Sequence, residues 1–428
     1  MKAFLENFNY LHIALTFLIS EFAFKLYINY RQFKNYKIRV IPEQLKSITN
    51  EKEFEHSQKY SADKMIFKTI SSTYGFIFNI TFLAYNIIPM IWNKSEMLVK
   101  EFGYDNEIIV SNIFIMAILM FNNIIGLPFD YYETFFLEEK YGFNKTTKFL
   151  FIKDKIIQNL LLVVLTIPIC SALIFVIQWA GEHFWIYALG LVFGFSMVLI
   201  TIYPTFIAPL FNKYKPVEGE IKDAIMELAD KVKFPATKIY EVDSSKRSGH
   251  MNAYFYGFFK NKRIVLYDTL IKEMSIPELL SVLAHEFSHY FCNHTTYLII
   301  FQQIYLAQFF YLFGFFINDS KLYNDFGFSQ PATIIGLLLF QMLNTPFDTL
   351  FSFIMNVFSR KFEYQADEHA LKFGCEHLIP ALVKLHVKDR AALIVDPLYS
   401  AMHYTHPTLL ERIDYIKKVE KTLSAKNK

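Results

Sequence analysis

The chain has 428 residues, enough for two or three ordinary domains, yet it is 53% hydrophobic and 18% aromatic with only 19% charged residues. That share of charge is too low for an ordinary soluble enzyme and requires a lipid environment. The formal net charge of +3 comes from scattered lysines and arginines, which leaves no footprint for nucleic acid. The three cysteines, Cys170, Cys292 and Cys375, have no C-x-x-C spacing and suggest neither a disulfide framework nor a thiolate metal site.

Seven apolar stretches are long enough to cross a bilayer, at about residues 9–29, 70–92, 108–129, 157–180, 184–207, 296–318 and 333–357. The first is not read as a cleavable signal peptide. It is too long, carries Glu21 and Lys25, and lacks a small-residue cleavage site before Tyr30-Arg31. Asn79, Asn86, Asn122, Asn123, Gln302, Gln303 and Asn344 interrupt the spans and are expected to face protein or enclosed water. Hydrogen bonds between helices account for any one of them, whereas their number favours a polar interior. Basic residues concentrate after spans one, three and five, for example Arg31, Lys34, Lys37 and Arg39, then Lys140, Lys145 and Lys148. That bias places the N-terminus outside or in a lumen, and the C-terminus and the H-E-x-x-H segment on the cytoplasmic side.

Between spans five and six, Ile221, Ala224, Ile225, Leu228, Ala229 and Val232 recur at helical spacing and stop before Pro235. Strand-like runs follow at 238–242, 251–258 and 263–267, with Lys260-Asn261-Lys262 as a turn. Such a strand can receive an extended peptide through main-chain hydrogen bonds. Asn252, Ala253 and Tyr254 are therefore candidate substrate contacts, and equally a buried aromatic strand.

Ser275-Ile276-Pro277-Glu278 reads as a helix start with a capping box. The helix leads into His285-Glu286-Phe287-Ser288-His289, an H-E-x-x-H element. Two histidines four residues apart share one helix face and can grip one Zn²⁺, with Glu286 beside them as general base. Glu363 is the candidate third ligand. Asp367, one turn further, can orient a ligating histidine, and Arg360, one turn earlier, can balance the negative charge. His406 or Arg412, in His403-Tyr404-Thr405-His406-Pro407 and the residues after it, could donate to an oxyanion. The alternative there is a turn before a solvated C-terminal helix.

With these residues in hand the chain resembles the Ste24 family of CAAX prenyl proteases of type 1, integral-membrane zinc metalloproteases of peptidase family M48. The resemblance runs through Leu127-Pro128-Phe129, Glu138 to Lys145, Ser245 to Ser248, Asn252 to Phe258, Lys262 to Val265, Asp268-Thr269-Leu270, the H-E-x-x-H helix, Glu363 to Asp367, and Tyr404 to Pro407 with Glu411-Arg412. It implies a mainly α, polytopic membrane protein whose seven transmembrane helices enclose a chamber, with a gluzincin-like zinc metalloprotease domain that contains a small β-sheet. The corresponding organisation is 1–210 for five spans, 211–294 for the metalloprotease segment, 295–358 for spans six and seven, and 359–428 for the C-terminal segment with the third ligand.

The resemblance further implies one zinc ion on His285, His289 and Glu363, Glu286 as base, and Asp367 and His406 as supporting catalytic residues. Its substrates are prenylated CAAX proteins, which lose their last three residues and in some members are cut again upstream. Residence is implied in the endoplasmic reticulum or inner nuclear membrane. Phe287-Ser288 depart from the family's usual Leu-Gly, and the bulk of Phe287 is expected at the pocket wall. Rival expectations are a membrane quality-control protease using the same site and a metal-binding scaffold without activity.

Overall fold

The structure, a computed structural model, describes residues 9–257 and 262–426. Phe258 and the Lys260-Asn261 part of the expected turn lie outside the described residues. A backbone in lipid must satisfy its own hydrogen bonds, so the apolar stretches become long helices. These are α1 (Tyr10–Tyr36), α2 (Glu51–Ala84), α3 (Ile87–Glu101), α4 (Glu107–Tyr132), α5 (Lys148–Trp179) and α6 (Phe184–Ile202). A π-helical turn, Glu133–Glu138, continues α4, and a second, Tyr203–Ile207, continues α6.

The span expected at 70–92 is not one straight helix. α2 and α3 meet at a bend of 66°, and Asn86 at the break has a left-handed φ of 51°. Asparagine tolerates that conformation better than most side chains. Its Oδ1 also lies where a Cβ on Gly327 would come within 2.9 Å, so the break is moulded to a distant loop. With the bent pair counted as one, the helices able to cross a membrane number seven among the described residues.

A short helical turn, Ala208–Phe211, follows α6's extension, and the soluble layer begins three residues after Phe211, with β1 (Tyr214–Pro216), α7 (Glu220–Val232), β2 (Ala236–Val242), β3 (Ala253–Tyr256) and β4 (Lys262–Tyr267). The sheet order is β1-β2-β4-β3, with β2 and β4 parallel and the other pairs antiparallel. β3 is thus an edge strand, as the peptide-addition argument requires. Next come α8 (Asp268–Glu273), α9 (Ile276–Phe291), α10 (His294–Phe313), α11 (Ser320–Asp325) and α12 (Thr333–Lys372). The chain closes with α13 (Leu378–Lys388), α14 (Pro397–His403) and α15 (Leu409–Lys426).

The spans form a ring. α1 packs on α2, α3 on α4, α4 on α5, α5 on α6, α6 on α10, α10 on α12, and α12 returns to α1. Two apolar cores flank the ring's interior. Phe114, Ile174, Phe184, Phe313, Tyr323 and Ile335 build one within the spans, and Ile225, Ile264, Leu270, Leu283, Phe287 and Ile416 build the other in the soluble layer. Some of the polar residues of the spans are hydrogen-bonded within the protein. Asn123 donates to Asn159 at 2.8 Å, and Asn344 is buried and donates to Asp348 at 2.6 Å. Asn79, Asn122 and Gln302 lie on exposed helix faces.

Candidate metal centre

The capping box forms as expected at the start of α9: Ser275 donates from its backbone N–H and its hydroxyl to Glu278, both at 2.8 Å. Lys384 of α13 also reaches Glu278 at 2.6 Å, which ties the helix start to its neighbour. α9 then carries His285 and His289 on one face, where they meet α12. α12 is a continuous helix of 40 residues with Pro346 inside it, so the seventh span and the segment bearing Glu363 and Asp367 belong to one helix.

At that crossing His285, His289 and Glu363 each offer a ligating atom, all within 4.8 Å of one another. His285 Nε2 stands 3.3 Å from Glu363 Oε2, and His289 Nε2 stands 3.4 Å from Glu363 Oε1. Glu363 Oε2 is buried with no hydrogen-bond partner, the condition a bound cation would relieve. Two imidazoles and one carboxylate are the donor set of a catalytic zinc site with an open position, so these residues fit a metal ion.

Each histidine is held by its other nitrogen. His285 Nδ1 lies 2.9 Å from Asp367 Oδ1, and donating there leaves Nε2 as a lone-pair donor. His289 Nδ1 lies 2.9 Å from His294 Nδ1, whose Nε2 lies 3.0 Å from Gln365 Oε1. Arg412 is 5% exposed and completes the shell. It donates to both oxygens of Asp367 at 2.9 and 2.6 Å and comes within 3.7 Å of Glu363. It is not on a solvated face.

His406, on the turn before α15, places Nε2 3.4 Å from Glu363 Oε1 at the open rim. Beside the metal group lies a cleft of about 410 Å³, lined by Asn252, Ala253, Val282, Glu286, Leu382, Asp389 and Arg412 among others. Burial is the largest influence on Glu286 and pushes its carboxyl above the ordinary range, which suits a base.

Two expectations are corrected. Arg360 does not balance Glu363; its guanidinium donates to the carbonyls of Ser400, Ala401 and Tyr404, closing the C-terminal end of α14. Unpaired helix carbonyls attract a cation more than a carboxylate already served by Arg412. Phe287 is not at the pocket wall. It is fully buried and stacks on Phe234 at 4.0 Å, on the side of α9 that faces the soluble core.

Sequence reasoning missed His250, Asp389 and Glu138, which meet at the lip of the cleft. His250 Nδ1 lies 3.1 Å from Asp389, and its Nε2 lies 3.6 Å from Glu138 at the end of α4's extension. Lys64 of α2 reaches Glu138 at 2.9 Å, and the His250 ring stacks on Phe143 at 4.2 Å. Burial opposes the charge on His250, but Asp389 and Glu138 outweigh it and raise the group to about 9. A pKa raised on folding contributes stability that is full below the unfolded value and disappears as pH rises through the folded one. Between about pH 6.5 and 9 the melting temperature of the wild type should therefore fall, and His250→Gln should remove that slope. Parallel curves for the two proteins in a detergent melt series would refute the assignment.

The sequence matches two family descriptions: "CAAX prenyl protease N-terminal, five membrane helices" over residues 30–213 and "Peptidase family M48" over residues 216–420. It is 45% identical to a CAAX prenyl protease 1 homolog of Dictyostelium discoideum, covering 98% of this chain and 100% of that one. Identity to the Homo sapiens CAAX prenyl protease 1 homolog is 37%, with 94% of each chain covered. The crystal structure of Ste24p from S. mikatae superposes with a TM-score of 0.92 at 37% identity, covering 96% of this chain and 99% of that one.

Proposed function

The chain belongs to peptidase family M48, within its CAAX prenyl protease group of membrane metalloproteases, and on that premise we propose that it is a zinc-dependent endopeptidase that removes the last three residues of prenylated CAAX proteins. The observation that carries this reading is the convergence of His285, His289 and Glu363 beside Glu286 and an edge strand. The three residues hold the ion, which when bound supplies a Lewis acid for the scissile carbonyl and acidifies water.

Glu286 takes the proton from the attacking water and delivers it to the departing amine. Asn252, Ala253 and Tyr254 align the peptide along β3, and His406 donates to the developing oxyanion. Asp367 and Arg412 act through His285 by fixing its orientation and charge. Any second, upstream cut would use the same residues on a longer segment of substrate.

The substrate's apolar anchor accounts for a catalyst held in the membrane. The loop charges support an active site on the cytoplasmic side of the membrane, and membership of the family supports residence in the endoplasmic reticulum or inner nuclear membrane, with a lumenal N-terminus. The protein then divides into a five-span region, a metalloprotease segment, spans six and seven, and a C-terminal segment. Purified protein should contain about one zinc per chain and cleave a farnesylated C-a-a-X peptide faster than its unprenylated twin, with a chelator stopping both. Equal rates on the two peptides would sink the prenyl assignment. Activity that survives complete metal removal would overturn the mechanism.

A further inference from the structure

An extended peptide added to β3 projects its side chains alternately to the two faces of the sheet. On one face lies the cleft, walled by Leu270, Val282, Leu378, Leu382 and Leu385 from the soluble core. That partly open space, apolar along its leucine wall, lies at the Met251–Ala253 end of β3 and suits the first residue released. The residue before it, the cysteine bearing the isoprenyl chain, must then point to the opposite face and lie toward the Tyr254–Tyr256 end.

That opposite face carries a row of tyrosines, with the charged Lys238 and Arg263 beside them at the Tyr256 end. The register pairs Tyr254 with Val265, Val265 with Tyr240, and Tyr214 with Val242, so Tyr214, Tyr240, Tyr254 and Tyr256 share one side. Beneath them Val265 and Val242 are 0% and 2% exposed, although neither belongs to the soluble core. The hydroxyls of Tyr214 and Tyr254 are 3.4 Å apart, and the Tyr214 and Tyr240 rings meet edge-on at 6.4 Å. The patch continues to the membrane. β1 starts three residues after Phe211, and Tyr203 and Phe206 in α6's extension are 54% and 69% exposed.

We infer that this tyrosine face holds the isoprenyl chain of the substrate, an inference that rests on the substrate class proposed above. Ring faces supply apolar contact while the hydroxyls remain at the rim in water, a surface suited to a chain that arrives from lipid and must leave again. The larger apolar cavity between α4 and α5, about 1290 Å³, is placed wrongly for it. Phe136 lines that cavity, and Glu138 two residues on meets His250, so it borders the side of the released residues.

The double variant Tyr240→Ser with Tyr256→Ser should raise KM for a farnesylated C-a-a-X peptide about tenfold while kcat/KM for the unprenylated twin stays unchanged. An equal loss on both peptides would mark a structural role and overturn the inference. Photo-crosslinking of unmodified protein with a peptide whose farnesyl group carries a diazirine gives the second readout. Labels on β1 to β3 or on Tyr203 are expected, and labels on α4 and α5 would refute the location. A wild type that cleaves both peptides equally would refute the substrate class. A double variant that keeps the wild type's preference for the farnesylated peptide refutes only the site.

Discussion

Glu286→Gln is expected to lower cleavage by about three to four orders of magnitude while the protein keeps its metal. Glutamine matches the carboxylate in size and leaves α9 undisturbed, but it cannot accept the proton of the attacking water. Glu286 is not among the three residues whose ligating atoms cluster, so metal content should not change. The measurement is kcat on a prenylated peptide beside zinc by mass spectrometry on the same sample. A variant that loses its zinc would make Glu286 a ligand, and one that loses only severalfold in rate would remove it as the base.

Arg412→Ala should be the most damaging change outside the ligand set. The guanidinium is buried against both oxygens of Asp367 and within 3.7 Å of Glu363, and its loss leaves Asp367 with His285 but without its balancing cation in the protein interior. Breaking a buried ion pair from one side costs about 3–5 kcal/mol, because the charge left behind is no longer compensated. Asp367 would then be less well fixed, and the orientation of His285 with it, which should weaken metal affinity by about 10–100-fold. Arg412→Lys should recover only part of the loss, since an ammonium cannot reproduce the fork onto both Asp367 oxygens. Thermal unfolding and a zinc titration decide it, and an unchanged melting temperature with unchanged affinity would refute the role of Arg412.

What could be read from sequence followed the reach of each interaction along the chain. Spans were legible because length and apolarity are local, and the start of α9 was legible because a capping box occupies four residues. His285 and His289 were legible as candidate ligands because they stand four residues apart on one helix, and Glu363 because it follows span seven on the side that the loop charges assign to the H-E-x-x-H segment. The break at Asn86 was not, since the segment its side chain meets, around Gly327, lies far along the chain. β1 escaped because its three residues are too few to show alternation.

Arg360 drew the wrong role for a related reason. Its spacing from Glu363 suggested an ion pair, but the carbonyls that claim it arrive from a turn 40 residues later. Arg412 sits in a helix with Glu411, Lys417 and Lys418 and reads as exposed until α12 is placed beside it. The His250 cluster joins residues more than 100 positions apart and has no spacing to betray it.

The continuous α12 gives the metal a second office. Glu363 rides on a rod that crosses the membrane, whereas His285 and His289 ride on a helix of the soluble layer. An ion shared among them would therefore be a fastener between the lipid-embedded frame and the soluble layer, and its binding free energy would also hold those two parts in register. Chemistry and assembly would then be secured by one bolt: a chain unable to keep its metal would lose the alignment of its floor with its walls along with its catalyst.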